Sequence, residues 1–340
     1  MAHLIPLRYT RAMDVLAIGD TTEDIFMQLH EASLQCNIDG TNCRLCLDYG
    51  NKIPVESKKV ISGVGNAANH AVGAARLGCK AGIYTVLGDD TEGARAREVF
   101  TRNGVDTTYV VTDHEHGTNL SIAITFQSER TILVHHEPRN YELPHNLVAP
   151  SWIYLTSASG AGCEQLHEQV HNFLEKNTSV RLAFNPGTYQ MHLGKEKLMP
   201  LLQKTSLLFL NREEAARVLG VETRDIGELV RGLHALGITT VIITDGPDGS
   251  YVSDGTTVYQ FGIYPEEEVE RTGAGDAFGS GFLSAIIQGK SIPEAMQWGT
   301  ANATSVVRYV GAREGLLEQH AILHMIEEYK DMKPTEFLTL

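Results

Sequence analysis

The sequence contains no long hydrophobic run and has little positive charge. No apolar stretch approaches the ~20 residues that a helix needs to cross a bilayer, and the first dozen residues have no signal-peptide core. Lys and Arg number 28 against 42 Asp and Glu, a formal net charge of −14, so no basic stripe is present that could neutralise the phosphates of a nucleic acid. These absences predict a cytoplasmic protein that binds neither membrane nor nucleic acid.

Cysteine is also scarce. The five cysteines are an odd number spread over a long chain, which favours reduced thiols over a disulfide framework. Two of them, Cys43 and Cys46, have the C-x-x-C spacing of a metal site, but no second pair follows at zinc-site spacing. The pattern therefore favours a structural role over zinc binding. The remaining cysteines are Cys36, Cys79 and Cys163.

The second half of the chain alternates regularly between strand-like and helix-like segments. The apolar strand patterns lie at 152–155, 180–184, 207–210 and 240–244, and helical patterns lie in the gaps between them at 163–175, 213–219 and 226–236. Strands joined by helices of this length imply right-handed crossovers and a mainly parallel sheet covered by helices on both faces. Since the chain also has no repeat or linker, we expect one doubly wound α/β domain.

The first half departs from this alternation. Residues 13–20 form a predicted buried strand that ends in a glycine turn, where an open α/β sheet presents its ligand-binding edge. Short β-like pieces follow at 59–61, 109–111, 121–126 and 130–134. The last two predict a hairpin around 127–129. We interpret these pieces as a small β lid inserted into the main domain from about 27–62 and 109–135.

The most informative motif is the run ERTGAGDAFGSGF at 270–282. Gly273, Ala274 and Gly275 let the backbone turn tightly, and their N–H groups open an apolar helix. The unpaired donors and positive dipole end of that helix favour a phosphate. Asp276, in the first turn, is poorly suited to binding an anion and better suited to accepting a proton from an attacking hydroxyl. The alternative is that Asp276 caps the helix and the glycines make a turn.

Three further motifs occur in step with this one. They are GVGNAANHA at 63–71, which runs into VGAARLG at 72–78, NREE at 211–214 and TDGPDG at 244–249. Together with the 270–282 run they resemble the signature sequences of the PfkB family of carbohydrate kinases, which has the ribokinase-like fold and includes adenosine kinases. The resemblance covers roughly residues 14–330 in the expected order, so we expect one kinase domain over 13–330.

The resemblance implies an ATP-dependent kinase that phosphorylates a hydroxyl of a small sugar such as ribose or fructose. Phosphoryl transfer needs an acceptor hydroxyl in line, a base for its proton and donors for the moving phosphoryl group. Asp276 would be the base. The N–H groups of Gly273, Ala274, Gly275 and Asp276 would form the anion hole.

Metal ions complete the implied site. Asn211 and Glu214 match the family's NxxE motif and would hold Mg²⁺ through its waters, although Asn followed three residues later by Glu is also a good helix start. Glu270 and Arg271 stand where the family usually has Asp-Thr. That acidic position helps hold an activating monovalent cation such as K⁺ in ribokinase-like enzymes. Either Glu270 holds such a cation or Arg271 contacts a phosphate, and the sequence does not choose between them.

The acceptor and the nucleotide are assigned to opposite sides of the anion hole. Asp24 and Asn69 are placed to hydrogen-bond sugar hydroxyls, with Asn69 as a simple helix-start residue the alternative. Gly65 would let the ligand approach the backbone, and Val64 replaces the first glycine of the family's usual Gly-Gly pair. The nucleotide-side residues are Thr244, Gly246, Gly249 and Asn302.

Two other functions and a quaternary arrangement follow from the same residues. A nucleoside kinase on this scaffold would need an aromatic slot for a base, for which Phe26, Phe126 and Tyr154 are candidates. A sugar sensor without turnover is disfavoured, because it has no need of a base beside an anion hole. From the lid we predict a homodimer. A small exposed β layer leaves its strand edges and one face uncovered, and packing two lids together would hide them. A monomer whose lid is covered by the 27–62 insertion is the alternative.

Overall fold

The computed structural model describes residues 13–37, 43–127, 129–160 and 162–340. Its strands are β1 (Val15–Ile18), β2 (Thr22–Leu29), β3 (Ser33–Cys36), β4 (Cys43–Cys46), β5 (Val55–Val64), β6 (Ala81–Gly88), β7 (Asp106–Asp113), β8 (Asn119–Phe126), β9 (Glu129–His135), β10 (Trp152–Leu155), β11 (Arg181–Phe184), β12 (Thr205–Asn211), β13 (Thr240–Thr244), β14 (Ser250–Ser253), β15 (Thr257–Phe261) and β16 (Thr335–Thr339). Its helices are α1 (Asn66–Arg76), α2 (Thr91–Arg102), α3 (Gly162–Lys176), α4 (Thr188–His192), α5 (Lys195–Leu202), α6 (Arg212–Leu219), α7 (Ile226–His234), α8 (Ala274–Ile287), α9 (Ile292–Val306) and α10 (Gln319–Glu328).

A ten-stranded sheet forms the centre of the fold, in the order β16-β15-β14-β13-β12-β11-β10-β1-β6-β7. Neighbouring strands from β13 to β7 are parallel, whereas β14, β15 and β16 are antiparallel to their neighbours. The strands β10 and β13 coincide with the predicted segments 152–155 and 240–244. The prediction of a mainly parallel sheet is therefore confirmed.

Helices cover both faces of this sheet because its strands are apolar on both sides. In β1, Leu16 and Ile18 belong to a core shared with α3, α5, α6 and α7. Val15 and Ala17 point the other way, into cores shared with α1, α8 and α9. All four side chains are fully buried. Continuously apolar strands are what a sheet covered on both faces requires, and the predicted doubly wound α/β class is confirmed.

A separate four-stranded sheet, in the order β5-β2-β8-β9, corresponds to the predicted lid. The strands β8 and β9 form the predicted hairpin. The prediction was wrong for 109–111, because these residues lie in β7 and pair in parallel with β6 at the edge of the central sheet. The intervening helix α2 provides the long crossover that parallel pairing needs. The lid takes β2 instead, from Thr22 onward.

The two faces of the lid sheet differ, because successive residues of a strand point to opposite sides. On the inner face Phe26 lies beside Ala123, and both are buried together with Ile61 and Val64. On the outer face one apolar row of the register crosses all four strands and is called here the outer row. Its members are Val60, Ile25, Ile122 and Leu133.

Two cysteines depart from the expectation of reduced thiols. Cys36 and Cys43 form a disulfide across the hairpin of β3 and β4, where the antiparallel register sets them directly opposite each other. Cys46, Cys79 and Cys163 are free. Within the described ranges no cluster of three or more His, Cys, Asp or Glu side chains is arranged to hold a metal ion. None of the helices in these ranges is both long enough and apolar enough to cross a membrane.

Candidate active site

A cavity of about 200 Å³ lies at the carboxyl ends of the central strands. Asn211 and Thr244 are the last residues of β12 and β13, and both line this cavity. Gly275 and Asp276, from the first turn of α8, line it from the opposite side. The edge where an open α/β sheet binds its ligands thus meets the helix start that the sequence marks as phosphate-binding.

The helix α8 begins at a backbone turn that requires glycine. Gly273 has a φ of 81°, and a β-carbon built on it would lie 2.5 Å from that of Ala312. The N–H group of Ala274 donates to the carbonyl of Arg271 at 3.2 Å. Ala274 therefore contributes less to the predicted anion hole than expected, because its donor is already used.

Asp276 is fixed by two amides from the helix α1. Asn66 Nδ2 donates to its Oδ1 at 3.0 Å, and Asn69 Nδ2 donates to its Oδ2 at 2.8 Å. The two asparagines can do this together because residues three apart on a helix share a face. The carboxylate is 7% exposed. The structure thus brings together two motifs that lie about two hundred residues apart in the sequence.

Burial raises the pKa of Asp276 to about 6. The hydrogen bonds from Asn69 and Asn66 oppose this rise, because they stabilise the ionised form, and the negative charges of Asp24 and Glu214 add to it. The carboxylate is therefore ionised at neutral pH yet takes up a proton far more readily than an exposed aspartate.

Gly275 has no structural reason to be glycine. A β-carbon built on it meets no atom of another described residue within 4 Å, and the residue is not among those with positive φ. Among the described carbonyl groups, none accepts from the N–H of Gly275 or Asp276. A glycine that neither packing nor backbone geometry demands, with a free donor beside a cavity, is suited to the close approach of a ligand.

Asn211 and Glu214 form the helix cap that the sequence offered as the alternative to metal binding. Asn211 Oδ1 accepts from the N–H of Glu214, and Glu214 Oε2 accepts from the N–H of Asn211, both at 2.8 Å. Both residues also line the cavity that contains Asp276. Burial raises the pKa of Glu214. The capping geometry therefore holds a desolvated carboxylate at the cavity wall, and the two interpretations are compatible.

A second cavity, of about 270 Å³, adjoins the first and shares Thr244, Gly275 and Phe278 with it. Gly246 and Gly249 line this second cavity, as expected for the nucleotide side. Gly249 has a φ of 86°, and a β-carbon on it would come within 2.0 Å of the carbonyl oxygen of Phe261. Three of the four predicted nucleotide residues thus lie together.

Asn302 does not line either cavity. Its side chain is fully buried, with Nδ2 donating to the carbonyl of Ala277 at 2.9 Å and Oδ1 accepting from the N–H of Leu317 at 2.9 Å. Thr300, Ala303 and Thr304 line the second cavity instead. Asn302 thus lies on the helix that lines the cavity, α9, but on a different face of it. Its side chain joins α9 to α8 instead.

The predicted acceptor residues converge near Asp276. Asp24 lies on the inner face of the lid, where its Oδ1 accepts from the hydroxyls of Ser121 at 2.5 Å and Thr22 at 2.9 Å, and burial raises its pKa. Asn69 is buried, and its Oδ1 has no hydrogen-bond partner among the described residues. This unpaired acceptor is a group that a bound hydroxyl would satisfy.

Packing explains two other residues of the N-terminal motif. Gly65, with a φ of 106°, lies so close to the backbone oxygen of Asp20 that a β-carbon would come within 2.9 Å of it. The Val64 side chain is fully buried in the lid core, which accounts for its departure from the family's Gly-Gly pair. Of the three aromatic candidates for a base slot, Phe26 faces inward, Phe126 lies on the outer side of the lid, and Tyr154 is buried in the central sheet.

Glu270 is engaged by groups that the sequence did not indicate. Its Oε1 accepts from the N–H of Thr272 at 2.8 Å and forms an ion pair with Arg130 of the lid. Its Oε2 accepts from the N–H of Gly311 at 3.3 Å. Arg271 pairs with Glu268. Because donors and a guanidinium surround the Glu270 carboxylate, the residues present do not fit a monovalent cation there.

Sequence reasoning missed two residues of this site. Asn66 could have been found by placing a helix over the GVGNAANHA motif, because it stands three residues before Asn69 and on a helix the two share a face. Arg130 carried no usable signal, since its partner Glu270 lies 140 positions away and the contact depends on how the lid folds over the main domain.

The fold and this geometry define a class of protein. A doubly wound sheet that meets a glycine-opened helix start, with a buried carboxylate beside two adjoining cavities, is the arrangement of ribokinase-like phosphotransferases.

Comparison with known proteins gives the family. The model of the pfkB family of carbohydrate kinases matches residues 36–319, and the chain belongs to that family. It is 29% identical to a ribokinase of Haemophilus influenzae over 77% of this chain and 87% of that protein. The Arabidopsis thaliana ribokinase solved with ribose and ATP aligns with a TM-score of 0.77 at 21% identity, covering 93% of this chain and 99% of that one. A Methanocaldococcus jannaschii nucleoside kinase aligns with a TM-score of 0.74 at 18% identity, covering the same shares. At these identities the two structures show the fold alone, and the family makes the protein a sugar kinase.

Proposed function

We propose that the protein transfers the γ-phosphoryl group of ATP to a hydroxyl of a small sugar, with Asp276 as the base. One observation carries this proposal. Asp276 is a buried carboxylate in the first turn of α8, held by two amides and beside a cavity that a second cavity adjoins. A protein that only sensed sugars would have no need of a desolvated proton acceptor at this point.

Proton transfer follows from the pKa of Asp276. With a pKa of about 6 the carboxylate is ionised at neutral pH, and a base poised near the working pH is the most effective one. The acceptor oxygen forms a new bond to the γ-phosphorus while the bond from that phosphorus to the β–γ bridging oxygen breaks, so that ADP leaves, and the proton of the acceptor hydroxyl passes to Asp276. Asn66 and Asn69 hold the carboxylate in one orientation during this step.

The transferred phosphoryl group gains negative charge that the start of α8 is suited to stabilise. The free N–H groups of Gly275 and Asp276 and the positive end of the helix dipole supply that stabilisation without reorganisation. Because Gly275 has no side chain, the phosphoryl group approaches these donors closely. Gly273 shapes the turn that aims them.

Mg²⁺ fits the wall formed by Asn211 and Glu214. The capping contact uses Glu214 Oε2 and leaves Oε1 without a donor from the part of the chain that the structure describes, and burial makes the carboxylate a group that a cation would stabilise. We assign ligation through water because Mg²⁺ dehydrates reluctantly and usually keeps several of its waters. When bound, Mg²⁺ would neutralise phosphate charge.

The acceptor is assigned to the space between the lid and Asp276. Asp24 accepts and Asn69 Oδ1 accepts, so two hydroxyl groups of a sugar find partners there. Phe26 on the inner face of the lid keeps the nucleoside alternative open, because it is the one aromatic candidate that faces inward. A nucleoside acceptor would place its base against this ring.

The experiment is an ADP-release screen over pentoses, hexoses and nucleosides with ATP and Mg²⁺. We expect turnover with a sugar, and turnover with nucleosides alone would select the second candidate. Asp276→Asn should lower turnover roughly a hundredfold or more while nucleotide affinity stays within a few fold. Asp331→Asn, an exposed carboxylate far along the chain, is the matched control. If no acceptor releases ADP above the background without acceptor, the proposal is wrong.

We further propose that two copies of the chain pair through their lids. The support is the outer row, an apolar line across all four strands in which Leu133 is 53% and Val60 is 39% exposed. A second copy offers the same row in reverse, so a twofold interface buries both at once. A partner lid would also cover the edge strand β9, whose residues are all exposed.

A further inference from the structure

Arg130 reaches from the lid hairpin to the loop before the anion hole. Its guanidinium pairs with Glu270, which lies three residues before Gly273. The Glu270 carboxylate is only 15% exposed, and Arg130 is 33% exposed. This ion pair therefore joins the lid to the start of α8 in a partly desolvated setting, where a charge-assisted contact is stronger than at an exposed surface.

The carboxylate of Glu270 also accepts hydrogen bonds from the backbone, so the ion pair is connected to the loop before α8. It accepts from the N–H of Thr272 at 2.8 Å, and Thr272 leads directly into the Gly273 turn. It also accepts from the N–H of Gly311, next to Ala312, against which Gly273 is packed. Fixing Glu270 thus fixes both sides of the turn that aims the anion-hole donors.

Two other positively charged side chains near Glu270 have partners of their own, so Arg130 provides the counter-charge of Glu270. Arg271 is 62% exposed and pairs with Glu268, so it does not compete for Glu270. Lys59 lines the same space between lid and loop but pairs with Glu314 at 3.7 Å.

We propose that Arg130 is a positioning residue that takes the place of a monovalent cation at Glu270 and links lid closure to the shape of the anion hole. This inference deepens the proposed function. When the lid is open, Glu270 loses its counter-charge and the Thr272–Gly273 turn becomes less rigid. With the lid down, the turn is held and the donors of Gly275 and Asp276 are aimed. No K⁺ is required, because the positive charge comes from the chain itself.

The first test measures hydrogen exchange of the nucleotide-free protein and needs no activity. Arg130→Gln should speed exchange in peptides covering 268–276, and Glu270→Gln should speed exchange in the hairpin peptides covering 119–135. Arg102→Gln, which breaks an exposed ion pair with Glu98, is the matched control and should change neither region. Unchanged exchange at 268–276 in Arg130→Gln would overturn the linkage.

The second test is a double-mutant cycle in turnover, with Arg130→Lys as a variant that keeps the charge. Either single glutamine variant should lower kcat by roughly ten- to a hundredfold, the range for losing a charge-assisted hydrogen bond, and the double variant should be no worse than either single one.

Wild-type kcat should change less than about twofold when K⁺ replaces a bulky organic cation. Additive losses, or a wild-type enzyme that needs K⁺, would overturn the proposal. If no acceptor supports turnover, the function fails while the exchange experiment still decides the linkage.

Discussion

Replacing Asp276, the proposed base, should make the protein more stable, in addition to inactivating it. Asp276 is ionised at neutral pH although burial raises its pKa from 3.8 to about 6. A shift of about two pKa units corresponds to about 3 kcal/mol by which the folded state prefers the neutral form. Asp276→Asn supplies a neutral side chain of the same shape, so the unfolding free energy should rise by about 1–3 kcal/mol at pH 7.

The hydrogen bonds around the site permit this gain. Asn69 donates to the carboxylate with Nδ2, while its own Oδ1 has no partner within the described ranges. If the Asn69 side-chain amide flips, its Oδ1 can accept a hydrogen bond from the new amide NH₂ group at position 276. Asn66 still donates to the remaining oxygen of that side chain. One unpaired atom is exchanged for another, so the substitution costs little in hydrogen bonding.

The pH dependence gives the sharpest check. Because the folded pKa is the higher one, the penalty for ionised Asp276 is fully present above about pH 6 and absent below about pH 4. Urea unfolding of both proteins at pH 4.5 and 7.5 should therefore show a stability difference that is small in acid and large at neutral pH. Asp90→Asn is a control of opposite sign, since the pKa of Asp90 is lowered by its hydrogen bonds to Thr118 and Gly93, which outweigh its desolvation. A difference that does not change with pH, or a destabilised Asp276→Asn, would refute the reasoning.

Three further outcomes follow from the site and the lid. Gly275→Ala should be as stable as the wild type or more so, because its β-carbon enters open space and alanine favours the helix, yet kcat/KM for ATP should fall at least about tenfold; unchanged kinetics would remove Gly275 from the phosphate site. Glu214→Gln should raise the Mg²⁺ concentration for half-maximal turnover several fold without lowering the melting temperature, because glutamine still accepts from the Asn211 N–H; an unchanged Mg²⁺ titration would leave Asn211 and Glu214 with the helix-capping role alone. Light scattering should give twice the chain mass, and Leu133→Lys in the outer row should halve it; a wild-type monomer would contradict the lid interface.

Local patterns predicted much of the fold. The strands at 152–155 and 240–244 were placed correctly because short apolar runs between helical segments leave little choice in an α/β chain. The assignment failed for 109–111, where a β-like run of the same appearance joined the central sheet instead of the lid. Strand propensity is local, whereas the choice of partner strand depends on the crossover before it.

The site residues also fall into those that local sequence patterns predict and those that depend on contacts between distant parts of the chain. Asp276 and its glycines were predicted from the sequence, because a helix start with small residues and one carboxylate is a short-range pattern. Asn302 was assigned to the nucleotide but is used to tie two helices together. The pairing of Cys36 with Cys43 depended on the register of one hairpin.

The sequence by itself determined the family, the alternation of strands and helices from 152 to 244 and the residue types of the proposed phosphate-binding turn, since each is encoded over a few neighbouring positions. Only the tertiary structure decided what surrounds each functional group. It brought Asn66 and Asn69 onto Asp276 from about two hundred residues away and set Arg130 of the lid on Glu270. The physical reason is that pKa and orientation depend on burial and on neighbours in space, which the folding of the whole chain brings together.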